Sequence, residues 1–203
     1  MHISQPIVRL PEPLFKGEIS VEEALLKRRS VRDFKNEPLG LNEISQLLWA
    51  AQGITSKEDG GRTAPSAGAL YPLELYVVNG NITTLPAGVY HYQPSAHALE
   101  EIAKGDKRKL LTGAALMQEA INKSAAIIVI AAEYKRTTGK YFKRGKKYVH
   151  MEAGHAAQNI YLQAVSLMIG TVVTGAFIDA LVKQIVHLPR NAEPLYLMPI
   201  GKI

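Results

Sequence analysis

The sequence predicts an α+β fold, in which helices and strands do not alternate regularly. Residues 125–132 form a continuous apolar run, which is typical of a strand buried on both faces of a sheet. Residues 148–168 form the longest helical stretch, and its many alanines are typical of a central helix packed closely by its neighbours. Because several helices separate successive strands, we expect α+β rather than a doubly wound sheet.

The chain is predicted to contain one domain, over residues 19–203, preceded by an extended arm over residues 1–18 that carries three prolines. Ser20 is the expected N-cap of the first helix, because Glu23 follows three residues later as in a capping box. We expect this helix to reach about Arg29.

The first helix should turn Ala24 and Leu25 toward the core. A second helix is expected to follow Gly40 or Asn42 and to end at Gly53, where a C-terminal cap belongs. Its apolar residues at helical spacing are Leu41, Ile44, Leu47, Leu48 and Ala51.

The remaining elements are shorter. They are strands over 73–78, 88–92 and 195–200, and helices over 106–121 and 179–187. We expect Asn79-Gly80 to form the turn after the first of these strands, and Asp106 to cap the helix that follows it. Gly170 is the expected end of the long helix.

The composition narrows the possible functions. The 203 residues are 47% hydrophobic and include no cysteine, so a disulfide, a thiolate metal site and a cysteine nucleophile are all excluded. Redox chemistry would need a bound cofactor. No apolar run approaches the ~18 residues that span a bilayer, and no signal peptide is evident. We therefore expect a cytoplasmic protein without a membrane segment.

The net charge is +6, and part of it lies in the basic run over residues 135–147. Such a run is usually a solvated surface loop. A nucleic-acid patch is less favoured, because no RNA- or DNA-binding motif accompanies the run. A third alternative is that the charge attracts an anionic cofactor such as NAD(P)H.

The run Arg28-Arg29-Ser30-Val31-Arg32 is the first candidate binding motif. In extended backbone, Arg28, Ser30 and Arg32 point to one side. Two guanidinium groups and a hydroxyl then form a donor cluster suited to a phosphate or a ribityl chain. The alternative is a basic helix end that complements the helix dipole. The local pattern does not choose between them.

Residues 63–72 form the second candidate, a rigid loop of small residues, serine and two prolines directly before a strand. Such loops let backbone N–H groups approach a flat or anionic ligand. The alternative is a tight connection without a ligand. No glycine stands two residues before Ser66, so a serine hydrolase is not indicated.

Residues 170–177 could present backbone to a ring, but they lack the spacing of a dinucleotide-binding motif. His150 and His155 resemble metal ligands only at first sight. Residues five apart on a helix are separated by about 140°, so these two cannot converge. Glu152 and His155 share a face but have no third ligand. We therefore predict no metal site, and we place Glu152 or a histidine near a cofactor or in a buried pair.

Taken together, these segments resemble the nitroreductase family of FMN-dependent oxidoreductases, and within it the azoline-oxidase-like dehydrogenase branch. The matching segments are SVEEALLKRRSVRDF, LLWAAQGI, RTAPSAGALYPLELYVV, HMEAGHAAQNIYLQAVSLMIGTVVTGAF and PLYLMPIGKI. The resemblance covers residues 19–203. It implies a mixed, mainly antiparallel sheet wrapped by helices, and an interlocked homodimer with FMN sites at the interface.

The resemblance also implies which residues bind FMN. They are Arg28, Arg29, Ser30 and Arg32 at the phosphate and ribityl chain, Pro65, Ser66, Ala67, Gly68 and Leu70 in the loop that reaches the partner's flavin, Gly175 and Ala176 at the ring, and Lys202 at the phosphate. No residue is assigned as a general acid. In the azoline-oxidising branch a Lys-Tyr pair acts near the flavin, and both Lys140-Tyr141 and Lys147-Tyr148 are available for that role.

The activity that the resemblance implies is hydride transfer from NADH or NADPH through FMN to a small-molecule acceptor by a ping-pong mechanism. The acceptor would be a nitro compound, a quinone-like compound or another organic molecule. Two alternatives stay open. One is a flavin-binding or sensing module without turnover, and the other is an azoline-type dehydrogenase acting on a modified peptide.

Overall fold

A computed structural model describes residues 6–203, so the predicted arm is described only from residue 6 onward. The described residues form a seven-stranded sheet in the order β1-β4-β3-β2-β5-β7-β6, in which every neighbouring pair is antiparallel. The strands are β1 (Ile7–Arg9), β2 (Leu73–Asn79), β3 (Gly88–Gln93), β4 (Ala98–Lys104), β5 (Ala126–Ala132), β6 (Ile169–Thr171) and β7 (Glu193–Lys202).

The sheet is wrapped by helices. These are α1 (Val21–Lys27), α2 (Leu41–Gln52), α3 (Arg108–Ala114), α4 (Glu119–Lys123), α5 (Tyr134–Tyr141), α6 (Gly145–Ser166) and α7 (Asp179–Val186), with turns of 3-10 helix at Ala67–Ala69 and Phe142–Arg144. The predicted α+β class is confirmed, and so is the mainly antiparallel sheet that the resemblance implied. Within residues 6–203, no helix is long and apolar enough to cross a membrane.

Strand β5 explains why residues 125–132 are apolar throughout. It lies between β2 and β7, and all seven of its residues are buried. Ile128 and Ile130 pack into a core with α2 and α6 on one face of the sheet. Ile127 and Val129 pack into a second core with α3, α4 and α7 on the other face. Successive strand residues point to opposite faces, so both sets must be apolar.

Helix α1 begins as expected, because Ser20 accepts a hydrogen bond from the Glu23 amide. The Glu23 carboxylate, however, pairs with Lys27 at 2.5 Å instead of returning to Ser20, so only half of the capping box forms. Ala24 is buried as predicted. The expectation for Leu25 is wrong for the single chain, since its side chain is 54% exposed.

Three other segments differ from what the sequence predicted. The helix expected over 106–121 is broken at Leu116 and Met117, whose φ values of 55° and 60° are left-handed. The basic run over 135–147 is helical rather than a loop, with Thr137 buried and the charged side chains exposed to solvent. The long helix ends at Ser166, so Gly170 lies inside β6.

Other differences concern the sheet and its turns. Strands β1, β4 and β6 were not predicted. Asn79-Gly80 does not form a two-residue hairpin turn. Instead, the buried Asn79 amide donates to the carbonyls of Leu85 and Pro86 and so holds a longer loop.

Candidate functional site

The chain that follows α1 runs extended across the ends of β6 and β7. The Val31 amide donates to the Thr171 carbonyl and the Lys35 amide to the Lys202 carbonyl, both at 2.9 Å. Gly170 permits this close approach, because a Cβ there would lie 2.8 Å from Cγ1 of Val31. The arginine motif is therefore not part of the helix.

Tyr161 of α6 organises the arginine motif. The Arg28 guanidinium carbon lies 5.1 Å from the centroid of the Tyr161 ring, and the Ser30 and Tyr161 hydroxyls are 3.1 Å apart. Within residues 6–203, no carboxylate pairs with Arg28 or with the exposed Arg32. Their guanidinium groups are therefore available to an anion.

Arg29 behaves differently from its neighbours. Its Nη1 donates to the Leu26 carbonyl at 2.9 Å and to the Arg28 carbonyl at 2.8 Å. These are the carbonyls at the end of α1, so Arg29 plays the helix-capping role that was the alternative for the whole motif. The helix-capping interpretation therefore applies to Arg29.

Lys202 is engaged within the chain. Its ammonium group pairs with one carboxylate oxygen of Glu43, whose other oxygen accepts a 2.7 Å hydrogen bond from the Gly40 amide at the start of α2. The lysine therefore anchors the end of β7 to the N-terminus of α2. Its expected role at a phosphate is in competition with this ion pair.

Residues 65–71, here called the Ser66 loop, turn their serine inward. The Ser66 hydroxyl donates to Oε2 of Glu152 at 2.6 Å and accepts from the Tyr71 amide at 2.9 Å. The outward side of the loop consists of Pro65, Gly68 and other small residues. The loop can therefore offer a ligand its backbone and its small side chains, but not the Ser66 hydroxyl.

Glu152 is buried beside this loop, with 3% of its surface exposed. Burial raises the pKa of its carboxyl to about 7, although the Ser66 hydroxyl and the charge of Arg62 act to lower it. Arg62 stacks on Tyr71, with its guanidinium carbon 4.5 Å from the ring centroid. Its Nη1 donates to Gln52 at 2.9 Å, and burial lowers its pKa.

Glu152 and His155 lie in different environments. Glu152 is buried while His155 is exposed, so the two do not form a buried pair. Within residues 6–203, no group of three potential ligands could hold a metal ion. The arrangement of Glu152 with Arg62 and Ser66 was not predicted, because their contacts join parts of the chain that are distant in sequence.

The Lys140-Tyr141 pair lies over the Ser66 loop. A Cβ on Gly68 would come within 2.7 Å of the Tyr141 hydroxyl and 3.0 Å of the Lys140 ammonium nitrogen. Of the second pair, Tyr148 packs edge-on against Tyr141, with ring centroids 5.1 Å apart. The first pair is thus the one that contacts a candidate cofactor loop.

Gly175 and Ala176 form an exposed backbone segment after β6. The Ala176 carbonyl accepts a 2.9 Å hydrogen bond from Gln118, which fixes this segment against the start of α4. Gly175 and Phe177 line one side of an open groove of about 1190 Å³. The basic residues that line the same groove are Lys135, Lys146, His150 and Arg190.

The candidate residues fall into two clusters along α6. Tyr161 belongs to the arginine cluster, and its hydroxyl also accepts a hydrogen bond from the Val173 amide, two residues before Gly175. Glu152 contacts the Ser66 loop. Nine residues of helix correspond to about 13 Å. Within one chain, the Ser66 loop is therefore well separated from the arginine cluster.

These two clusters and the sheet define an α+β protein of nitroreductase type. A model of the nitroreductase family matches residues 25–202, and the chain belongs to that family. The family resemblance inferred from the sequence is confirmed.

Three relatives illustrate the match. MJ1384 of Methanocaldococcus jannaschii, assigned as a nitroreductase, is 46% identical over 185 residues, which cover 91% of this chain and 92% of the relative. McbC of Escherichia coli, a microcin B17-processing protein, is 30% identical over 175 residues, covering 81% of this chain and 63% of McbC. A crystal structure of a Ralstonia eutropha JMP134 protein, also assigned as a nitroreductase, superposes with a TM-score of 0.86 at 32% identity and covers this whole chain and 91% of that one.

Proposed function

We propose that this protein is an FMN-dependent oxidoreductase that takes a hydride from NADH or NADPH and passes electrons to a small organic acceptor. The observation that carries the proposal is the extended arginine motif, in which the guanidinium groups of Arg28 and Arg32 have no carboxylate partner within residues 6–203. Two such groups beside the Ser30 hydroxyl suit a phosphate monoester next to a polyol chain.

The residues present fit FMN. Arg28, Ser30 and Arg32 would hold the phosphate and ribityl chain, and the exposed backbone at Gly175 and Ala176 would face the ring. When bound, FMN accepts a hydride at N5 and returns two electrons to an acceptor. The protein orients the ring, excludes water from one face and supplies positive charge that favours the reduced anion.

The groove beside Gly175 supports a negatively charged hydride donor. Lys135, Lys146 and Arg190 line it without a carboxylate partner in the described chain. They outnumber the two lining carboxylates, Asp179 and Glu193, of which Glu193 is neutralised by Lys183 at 2.8 Å. Excess positive charge in a groove raises the local concentration of an anion such as NAD(P)H. Because donor and acceptor would use the same space in turn, we expect ping-pong kinetics.

A homodimer with its FMN sites at the interface is part of the proposal. Large apolar side chains are exposed on α1, in the first half of α6 and just after α6. They are Val21 (64%), Leu25 (54%), Leu26 (72%), Met151 (53%) and Met168 (75%). Apolar surfaces of this kind mark interaction sites. A second copy of the chain would cover them and bring its Ser66 loop to the arginine cluster.

The absorption spectrum of the purified protein tests the proposal. We expect bound flavin, or binding of added FMN, followed by anaerobic bleaching with NADH or NADPH. A protein that is colourless as purified, and is still colourless after incubation with FMN and removal of the unbound flavin, contradicts the proposal. Flavin that neither nucleotide bleaches would instead support a binding or sensing module without turnover.

The contact between Lys140-Tyr141 and Gly68 favours a second candidate, oxidation of an azoline in a modified peptide. McbC is named for processing a peptide, microcin B17. In this alternative the Lys-Tyr pair would remove and carry a proton while the flavin takes the hydride. Incubating the FMN-loaded protein with a thiazoline-containing peptide tests it, because oxidation to the thiazole lowers the peptide mass by about two hydrogens. An unchanged mass, in a preparation that turns over with NAD(P)H and a quinone, would exclude the alternative for that peptide.

A further inference from the structure

The Ser66 loop has a strained backbone. Gly68 has a φ of 66°, and two residues with side chains, Ala69 and Tyr71, have φ values of 53° and 43°. Left-handed conformations are unfavourable for residues that carry a Cβ. Such a loop keeps its shape only where the surrounding structure holds it in place.

Glu152 supplies the hydrogen bond that ties this loop to α6. The carboxylate receives the Ser66 hydroxyl at 2.6 Å, and the same hydroxyl receives the Tyr71 amide at 2.9 Å. One side chain on a rigid helix therefore fixes both ends of the strained segment. No other hydrogen bond to the Glu152 side chain is present within residues 6–203, where its Oε1 has no partner.

Tyr71 is held from its other side as well. Arg62 stacks on its ring, and Nη1 of Arg136 donates to its carbonyl at 3.0 Å. Arg136 is itself fixed by Glu74 at 2.5 Å. The end of the loop is thus clamped by charged side chains, whereas its start at Ser66 depends on Glu152.

We propose that Glu152 is a positioning residue for the cofactor site: through Ser66 it holds the strained loop in the shape in which its backbone meets the FMN of the partner subunit. This inference rests on the proposed function. It assigns Glu152 no contact with the cofactor, because the residue is buried behind the loop and acts only through the Ser66 hydroxyl.

The first experiment compares Glu152→Ala, Glu152→Gln and Ser66→Ala by fluorescence titration with FMN. We expect Glu152→Ala and Ser66→Ala to weaken FMN binding by about 10- to 100-fold, which corresponds to losing a buried hydrogen bond together with the loop shape. Glu152→Gln keeps an oxygen that can accept from Ser66, so it should restore affinity to within a few-fold of the unaltered protein.

Ser45→Ala is the matched control. Ser45 is also buried, and its hydroxyl lies 2.7 Å from His97 and donates to the Pro11 carbonyl at 2.5 Å, away from the candidate site. It should lower thermal stability without changing FMN affinity. Equal FMN affinity in Glu152→Ala and the unaltered protein overturns the proposal. So does an equal loss in Glu152→Gln and Glu152→Ala.

A mixed dimer tests whether the loop acts across the interface. One copy carries Arg32→Ala and the other carries Glu152→Ala, with different tags for purification. If the loop serves the partner's site, both defects fall in one site, and the mixed dimer binds one FMN with unaltered affinity. Two weakened sites, each carrying one of the two defects, overturn the proposal. Failure of the proposed function would be recognised separately, because the unaltered protein would then bind no FMN, and the inference would fall with it.

Discussion

The hydroxyl of Tyr161 lies 3.1 Å from the hydroxyl of Ser30 and joins the arginine motif to the backbone of residues 170–177 through the Val173 amide, 2.8 Å away. A single side chain on α6 therefore connects the segment proposed for the phosphate with the segment proposed for the ring. It also supports the Arg28 guanidinium through its ring face.

Replacing Tyr161 should consequently separate the contribution of its hydroxyl to FMN binding from the contribution of its ring. We expect Tyr161→Phe to weaken FMN binding by about three- to tenfold, since it removes one neutral hydrogen-bonding group. Tyr161→Ala should weaken it further, because Arg28 then loses the ring as well. Fluorescence titration measures both variants. Equal affinities for the two would show that the ring does not position Arg28.

The arginines of the motif should differ in their effects. Arg28→Ala and Arg32→Ala should each lower FMN affinity by at least tenfold and reduce its dependence on salt, because each removes a charge available to the phosphate. Arg29→Ala is the matched control, since Arg29 is occupied by the carbonyls at the end of α1. It should lower stability by less than about 1 kcal/mol and leave FMN affinity within a few-fold. A loss at Arg29 as large as at Arg32 would contradict this assignment.

Lys202→Met tests whether the C-terminal lysine serves the phosphate or the fold. Its ion pair with Glu43 is partly buried, with 29% and 18% of the two side chains exposed. We expect a loss of about 1–2 kcal/mol in the free energy of unfolding, measured with urea, and a similar loss in Glu43→Gln. The double variant should lose less than the sum. If Lys202→Met lowers FMN affinity tenfold while stability is unchanged, the family expectation holds instead.

Glu152 should make stability depend on pH. Its pKa is raised from 4.5 to about 7 in the folded protein, so between these values the folded state binds more protons than the unfolded state. Stability from this group therefore falls as pH rises from about 4.5 to 7 and stays low above it. Glu152→Gln lacks this dependence, and relative to the unaltered protein it should gain up to about 3 kcal/mol between pH 5 and pH 8. Parallel stability profiles for the two proteins would contradict the raised pKa.

Much of the fold could be predicted from local pattern. Strand β5 is a continuous apolar run, α2 has apolar residues at helical spacing and α6 is rich in alanine, because their burial is set by the sheet and its two cores. The prediction was wrong where tertiary contacts decide whether a segment forms a helix, a strand or a turn. Nothing in the local pattern of residues 106–121 marks the left-handed turn at Leu116, and β4 has only two fully buried residues.

In the candidate site, too, some residues could be predicted from the local pattern and others could not. The spacing of Arg28, Ser30 and Arg32 was sufficient to propose their alignment, and the structure shows the segment to be extended beside β6. Tyr161 and Glu152 lie within a helix that was predicted, but Ser30 and Ser66, which they contact, are 131 and 86 residues away in sequence. Only the folded chain brings them together.

Helix α6 carries both of these residues, with Glu152 and Tyr161 nine positions apart on 22 residues of helix. In the proposed dimer, one end of this helix would support the partner's site and the other end its own. A displacement along the helix axis would then move both contacts at once. Occupancy of one site would be communicated to the other as a rigid-body movement, so that the two FMN affinities of the dimer would be thermodynamically coupled.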